Sequence, residues 1–122
     1  DTAKIKNLLN SVLVQRIINS PLVFREEQFS AKLNPSLVFD EYEDVDTDAE
    51  IIVQGAVDVA FEENGKLVIV DYKTDRVKDI SKLAILYKKQ LELYRLAMEQ
   101  STEMTVSECI ICSVHLGEYI IL

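Results

Sequence analysis

The chain has 122 residues, of which 48% are apolar, and its 21 acidic and 13 basic side chains give a formal net charge of −8. That is one domain with enough apolar surface for a core and no room for a second. No apolar run of about 18 residues and no secretory leader pattern occurs, so the sequence points to the cytoplasm and away from a membrane span. An acidic balance counts against a general polyanion binder. Seven of the acids, however, fall in eleven positions (Asp40, Glu41, Glu43, Asp44, Asp46, Asp48 and Glu50), and without them the net charge is −1.

Residues 2–19 place Ile5, Leu8, Leu9, Val12, Leu13 and Ile17 at helical spacing, and Ser20-Pro21 closes the run, so one amphipathic helix is expected. Residues 22–29 are rich in β-formers and predict a strand. Asn34-Pro35 marks a turn, and a second short strand is expected over 36–39. The acidic stretch 40–50 then reads as a solvated or partner-facing loop; it has no glycine for the sharp turn of an EF-hand. A helix over 80–100 carries Leu83, Leu86, Tyr87, Gln90, Leu91, Tyr94, Ala97 and Met98 on one stripe. The chain closes with a buried strand over 106–114, a Leu116-Gly117 turn and a last strand.

Between these, Glu63-Asn64-Gly65-Lys66 is a hairpin turn signal, because Asn-Gly supplies the two positive φ values of a type I′ turn. A two-residue loop places Glu63 opposite Lys66, Val59 opposite Val70 and Asp58 opposite Asp71, the last pair with Cβ atoms roughly 4.5 to 5.5 Å apart. Like charges so placed repel, and a divalent cation held by carboxylate oxygens would offset the repulsion. Lys73 lies two residues beyond Asp71 on the same face, with Ala56 expected across from it. Val57, Val59, Phe61, Val68, Val70 and Tyr72 form the opposite, core face. On this reading one face packs and the other does chemistry; an ordinary hairpin with a solvated outer face is the alternative.

These residues resemble the RecB-type branch of the PD-(D/E)XK nuclease superfamily, whose motifs are G-x-(I/V)-D, (I/V)-D-Y-K-T and Q-x-x-x-Y. They stand here as Gly55-Ala56-Val57-Asp58, Val70-Asp71-Tyr72-Lys73-Thr74 and Gln90-Leu91-Glu92-Leu93-Tyr94. The longer runs 71–77 and 87–94 are similar to the C-terminal nuclease domain of AddA (RexA) type helicase-nuclease subunits. Arg25-Glu26-Glu27-Gln28-Phe29 resembles that family's Arg-Glu-x-Pro-Phe strand, with Gln28 in place of proline.

The resemblance implies an α/β fold, a mixed and mostly antiparallel central sheet flanked by helices, with residues 1–122 forming a single nuclease domain. Asp58, Asp71 and the main-chain carbonyl of Tyr72 would bind Mg²⁺, with Mn²⁺ able to substitute, and Lys73 would orient the attacking water. Gln90 and Tyr94, one turn apart on a helix, would position the DNA backbone or a metal-bound water, and Glu26 and Thr74 are candidate accessory residues. The substrate implied is DNA, as single strands from an unwound duplex, cut during recombination repair of double-strand breaks. ATP use would belong to a motor region outside this chain, and a second helicase-nuclease subunit would be the partner.

The family's upstream metal-binding histidine has no counterpart, since the only histidine, His115, lies far downstream and reads as structural. The chain therefore looks like a C-terminal fragment lacking the first motif, and the fragment alone is expected to cleave weakly or not at all. Two other readings remain at this point: a non-catalytic nuclease-like module that binds single-stranded DNA or a partner subunit, and a stand-alone endonuclease. Basic residues after the hairpin, Lys73, Arg76, Lys78, Lys82, Lys88 and Lys89, are candidates to flank a DNA path. Asp75 and Arg76 read equally as a surface pair or as DNA contacts. Cys109 and Cys112 sit three apart on an expected strand, pointing to opposite faces, and read as free buried thiols of a reducing compartment.

Overall fold

Residues 2–122 are described by a computed structural model. In chain order the elements are helices α1 (Thr2–Leu9) and α2 (Val12–Ile18), strand β1 (Val23–Leu33), two 3₁₀ turns (Pro35–Leu37 and Asp40–Tyr42), β2 (Ile51–Glu63), β3 (Lys66–Lys73), helix α3 (Ser81–Thr102), β4 (Val106–Ser113) and β5 (Glu118–Ile121). The strands form one sheet in the order β1-β2-β3-β4-β5. Only β3 and β4 run parallel, joined by α3, so the sheet is mixed and mostly antiparallel as expected.

Both sheet faces are packed. One carries Phe29, Ala31, Leu33, Val57, Ala60, Leu67, Ile69, Cys109 and Ile111 against Leu83, Leu91, Ala97 and Met98 of α3. The other carries Val59, Phe61, Val68, Val70, Ile110 and Cys112 against Leu13 of α2. The expectation of one packed and one chemical face is thereby corrected. Asp71 has the strand parity of Leu67 and Ile69, so the carboxylate extends the α3-side core instead of facing solvent.

The Asn64-Gly65 turn has φ of +54° and +77°, and it sets the expected register, Glu63 facing Lys66 and Val59 facing Val70. There the β2–β3 ladder ends. Ala56 pairs with Gln28 of β1 and not with Lys73. Alternation also breaks at this level. On β2 the α3-side residues are odd-numbered at Val53 and Val57 but even-numbered at Ala60; on β1 they are even at Phe24 and odd from Phe29 onward. The two parity changes meet at Asp58 and Glu26, the one level missing from the β1–β2 ladder, and Glu26 has φ of +49°. Paired irregularities of this kind re-aim side chains at a sheet's working end.

Four further expectations are corrected. The first helix is broken at Asn10-Ser11, because the Ser11 hydroxyl donates to the Leu8 carbonyl (2.6 Å) and accepts from the Val14 amide (3.4 Å), offering the backbone an alternative to a continuous helix. Residues 36–39 form no strand: Pro35 starts a 3₁₀ turn capped by the Asn34 side chain on the Ser36 amide. Leu86, expected on the buried stripe of α3, is exposed, and Tyr72 is half-exposed where it was placed in the core. Cys109 and Cys112 do lie on opposite faces as free thiols, and burial pushes them up to about 11 and about 12, which leaves them protonated.

Candidate active site

The end of the sheet where the hairpin opens gathers Asp58, Asp71, Lys73 and Gln90. Where a backbone carbonyl would continue the ladder, the Asp58 side chain takes over: its Oδ2 accepts from the Tyr72 amide at 2.7 Å. The Lys73 carbonyl faces β4, accepting from the Val114 amide at 3.0 Å. Successive carbonyls of a strand alternate in direction, so that of Tyr72 points to the β2 side, where Asp58 stands. Two carboxylates and one main-chain carbonyl thus share an edge.

Asp71 is only 5% exposed. Burial pushes its carboxyl above the usual carboxylate range, the Lys73 cation pulls the other way, and the Asp58 carboxylate pushes it up again. Lys73 Nζ lies 2.8 Å from Asp71 Oδ2, yet that oxygen is buried without a hydrogen-bond donor, since the ammonium approaches too obliquely to make one. A buried carboxylate oxygen facing a second carboxylate, with a lone pair unserved, suits a hard divalent cation. Among the described residues no group of three or more acidic, His or Cys side chains converges, so such an ion would rest on Asp58, Asp71, the Tyr72 carbonyl and water.

Lys73 is held from three sides. Besides Asp71, its Nζ donates to Gln90 Oε1 at 2.8 Å and sits 4.0 Å from the centre of the Tyr87 ring. Burial works against its ammonium form, and the neighbouring Asp71 carboxylate more than offsets that, leaving the group raised. Tyr87 is anchored in turn, its hydroxyl donating to Asp75 Oδ2 at 2.7 Å. Asp75 is therefore neither a surface partner of Arg76 nor a free DNA contact. Tyr87 was expected only as a stripe residue, although its position three residues before Gln90 puts both on one helix face.

Tyr94 packs edge-on against Phe29 with ring centres 5.4 Å apart, and its hydroxyl group is raised by burial and then by the nearby Asp71 charge. It borders the site from one turn beyond Gln90, and the two also line a groove of about 350 Å³ with Leu37, Val38 and Gln54. Thr74 is exposed just past Lys73. Glu26 is exposed and has no ion pair or side-chain hydrogen bond among the described residues, so the structure does not bring it into the site. Nor do the basic residues form one path: Lys89 pairs with Asp40 at 2.9 Å, and Lys88 lines a separate hollow with Arg95, Ser107 and Glu108.

A sheet that interrupts its own ladder to bring Asp-x-Lys against a second aspartate, with a helix supplying Gln and Tyr, defines a nuclease class. A family model for the PD-(D/E)XK nuclease superfamily matches residues 6–117, and the chain belongs to that superfamily. Its members generally use divalent metal ions. Curated relatives named as the AddA-type subunit of an ATP-dependent helicase/nuclease include one from Ruminiclostridium cellulolyticum, 34% identical over 98% of this chain and 10% of its own length. Those from Clostridium botulinum strain 657 and Clostridium acetobutylicum are 36% and 29% identical over 86% and 96% of this chain, and 8% and 10% of their own lengths. The chain thus spans about a tenth of the relatives it matches.

Proposed function

We propose that this chain is the nuclease domain of an ATP-dependent helicase-nuclease, hydrolysing phosphodiester bonds in DNA with Mg²⁺, or Mn²⁺ in its place. The single observation that carries this reading is Asp71 Oδ2, a buried carboxylate oxygen with no hydrogen-bond donor beside Asp58 and Lys73. The substrate is single-stranded DNA delivered by an ATP-driven motor elsewhere in a longer protein, the role is double-strand-break processing for recombination repair, and the setting is the cytoplasm. A second helicase-nuclease subunit is the partner. The names of the relatives and the family of the domain support this assignment.

When bound, the metal ion acts as a Lewis acid that acidifies a water and neutralises phosphate charge. Asp58, Asp71 and the Tyr72 carbonyl hold it. The Lys73 ammonium stands beside this centre, aimed by Gln90 and by the Tyr87 ring, and offsets negative charge building on the scissile phosphate without having to move. Tyr94 walls the site on its β1 side. The test is thermal: Mn²⁺ should raise the melting temperature of the chain, since a ligand bound only by the native state stabilises it. Asp71→Ala should abolish the rise. Superimposable melting curves with and without millimolar Mn²⁺ would sink the reading.

A further inference from the structure

Past the end of β3, on the side of the sheet covered by α1, lies a hollow of about 370 Å³ lined by Lys4, Thr74, Arg76, Val114, His115 and Leu116. No carboxylate lines it. In a chain of net charge −8, three nitrogen-bearing side chains converge here from three separate segments: α1, the loop after β3, and the β4–β5 turn. None of Lys4, Arg76 and His115 has an ion pair or a side-chain hydrogen bond among the described residues. Their neighbours behave otherwise: Lys73 is held by Asp71 and Gln90, Lys89 by Asp40, and Arg16 by Glu63 and Glu108.

The hollow is tied to the carboxylate centre and fixed in place. Val114, on its wall, donates its amide to the Lys73 carbonyl, and Thr74 directly follows Lys73. Arg76 is three residues beyond Lys73, at most about 10 Å along the chain, or roughly three nucleotides at 3.4 Å each. Lys4 is positioned by contact of α1 with the β4–β5 turn: Asn7 Nδ2 donates to the Gly117 carbonyl at 2.7 Å. Gly117, at φ +69°, lets the helix approach so closely that a Cβ there would lie 2.8 Å from the Lys4 carbonyl oxygen.

We propose that this hollow is a phosphodiester subsite, in which Arg76, Lys4, an imidazole N–H of His115 and the Thr74 hydroxyl bind a backbone phosphate of the strand being cut at Asp58 and Asp71. The proposal deepens the nuclease reading and rests on it. It also gives His115 a place, since the side chain expected to be structural is exposed at the hollow's wall. Arg76 supplies a planar fork suited to a phosphate, and Lys4 a point charge. Recognition is of the backbone, so no base preference follows.

The test is fluorescence anisotropy of a labelled oligothymidylate with the 122-residue chain in EDTA, which permits binding but not cleavage, over a series of salt concentrations. Arg76→Gln and Lys4→Gln should each flatten the dependence of log affinity on log salt by about 0.7, one single-strand phosphate contact apiece. Lys66→Gln, at the far end of the same strand, should leave it unchanged. Unchanged slopes in the first two variants, an equal effect in Lys66→Gln, or no binding by the unsubstituted chain overturns the subsite. The Mn²⁺ melting shift reads the carboxylate centre separately. Altered slopes without that shift would keep the subsite and remove the nuclease; the shift with unaltered slopes would do the reverse.

Discussion

Two carboxylates and one cation meet at each end of the β2–β3 hairpin, and the two ends treat them oppositely. At the closed end, Arg16 of α2 reaches Glu63 with Nε at 2.9 Å and Nη2 at 2.7 Å, and the same Nη2 reaches Glu108 of β4. The planar fork serves both acids. At the open end Asp58 and Asp71 share Lys73, whose single ammonium leaves Asp71 Oδ2 without a donor although Asp71 is the more deeply buried. Glu63 is held below the usual carboxylate range by the Arg16 hydrogen bond, whereas Asp71 is pushed above it by burial. The same charge count gives a finished clasp at one end and an unfinished coordination shell at the other.

The sharpest way to break this contrast is to give the open end the cation of the closed end. Lys73→Arg should let a guanidinium fork fill the unserved oxygen, so that Mn²⁺ no longer raises the melting temperature. Cleavage of single-stranded DNA by the full-length protein should fall at least about a hundredfold, about 2.7 kcal/mol of transition-state stabilisation. An arginine variant that keeps its Mn²⁺ response would show that the two ends differ in something other than their cation. Smaller is the effect of Gln90→Leu, which removes the acceptor that aims Lys73. Cleavage should drop about tenfold, near 1.4 kcal/mol, while the melting temperature holds, because the amide is only half-buried. A large loss of stability would make Gln90 a structural residue.

Tyr87 separates ring from hydroxyl. Tyr87→Leu removes the face that Lys73 sits over and should slow cleavage about fivefold, or roughly 1 kcal/mol of cation–π interaction. Tyr87→Phe keeps the ring, loses only the bond to Asp75, and should recover most of the rate; equal rates for the two variants would end the role of the ring. The least effect belongs to the clasp. Arg16→Met should lower stability by about 1 kcal/mol at neutral pH without altering the Mn²⁺ response. Its pH dependence has a definite sign: a lowered Glu63 pKa contributes stability above the ordinary 4.5 that is lost as pH falls through the lowered value. The gap between wild type and variant, read from melting curves, should therefore close in acid.

What could be read without coordinates was local chemistry. Asn64-Gly65 fixed the register from the φ values its residues accept, and with it the meeting of Asp58 with Asp71. Gln90 and Tyr94 followed from one helical turn of spacing. What escaped depended on departures from periodicity: the parity change at Asp58 and Glu26 leaves Ala56 away from Lys73, and no residue type announces it. The break at Asn10-Ser11 is a contest between side-chain and main-chain hydrogen bonds inside an unbroken apolar pattern. The convergence of Lys4, Arg76 and His115 is a product of topology, because the residues lie 72 and 39 positions apart in sequence and meet only where α1 seats on the last turn.

Gly55, the first residue of the Gly-Ala-Val-Asp motif, works as a gauge block. A Cβ there would stand 2.8 Å from the tip of the Phe29 ring, a buried side chain that in turn meets Tyr94 edge-on. The absent methyl group sets the thickness of a stack running from β2 through the ring to α3, and so how far Gln90 and Tyr94 stand from the aspartates. An alanine at 55 would act like a shim under the helix, transmitting its displacement through the ring to side chains that the change itself never touches. The glycine is there for clearance and not for pliancy, which makes it the most remote position from which the reach of Lys73 can be tuned.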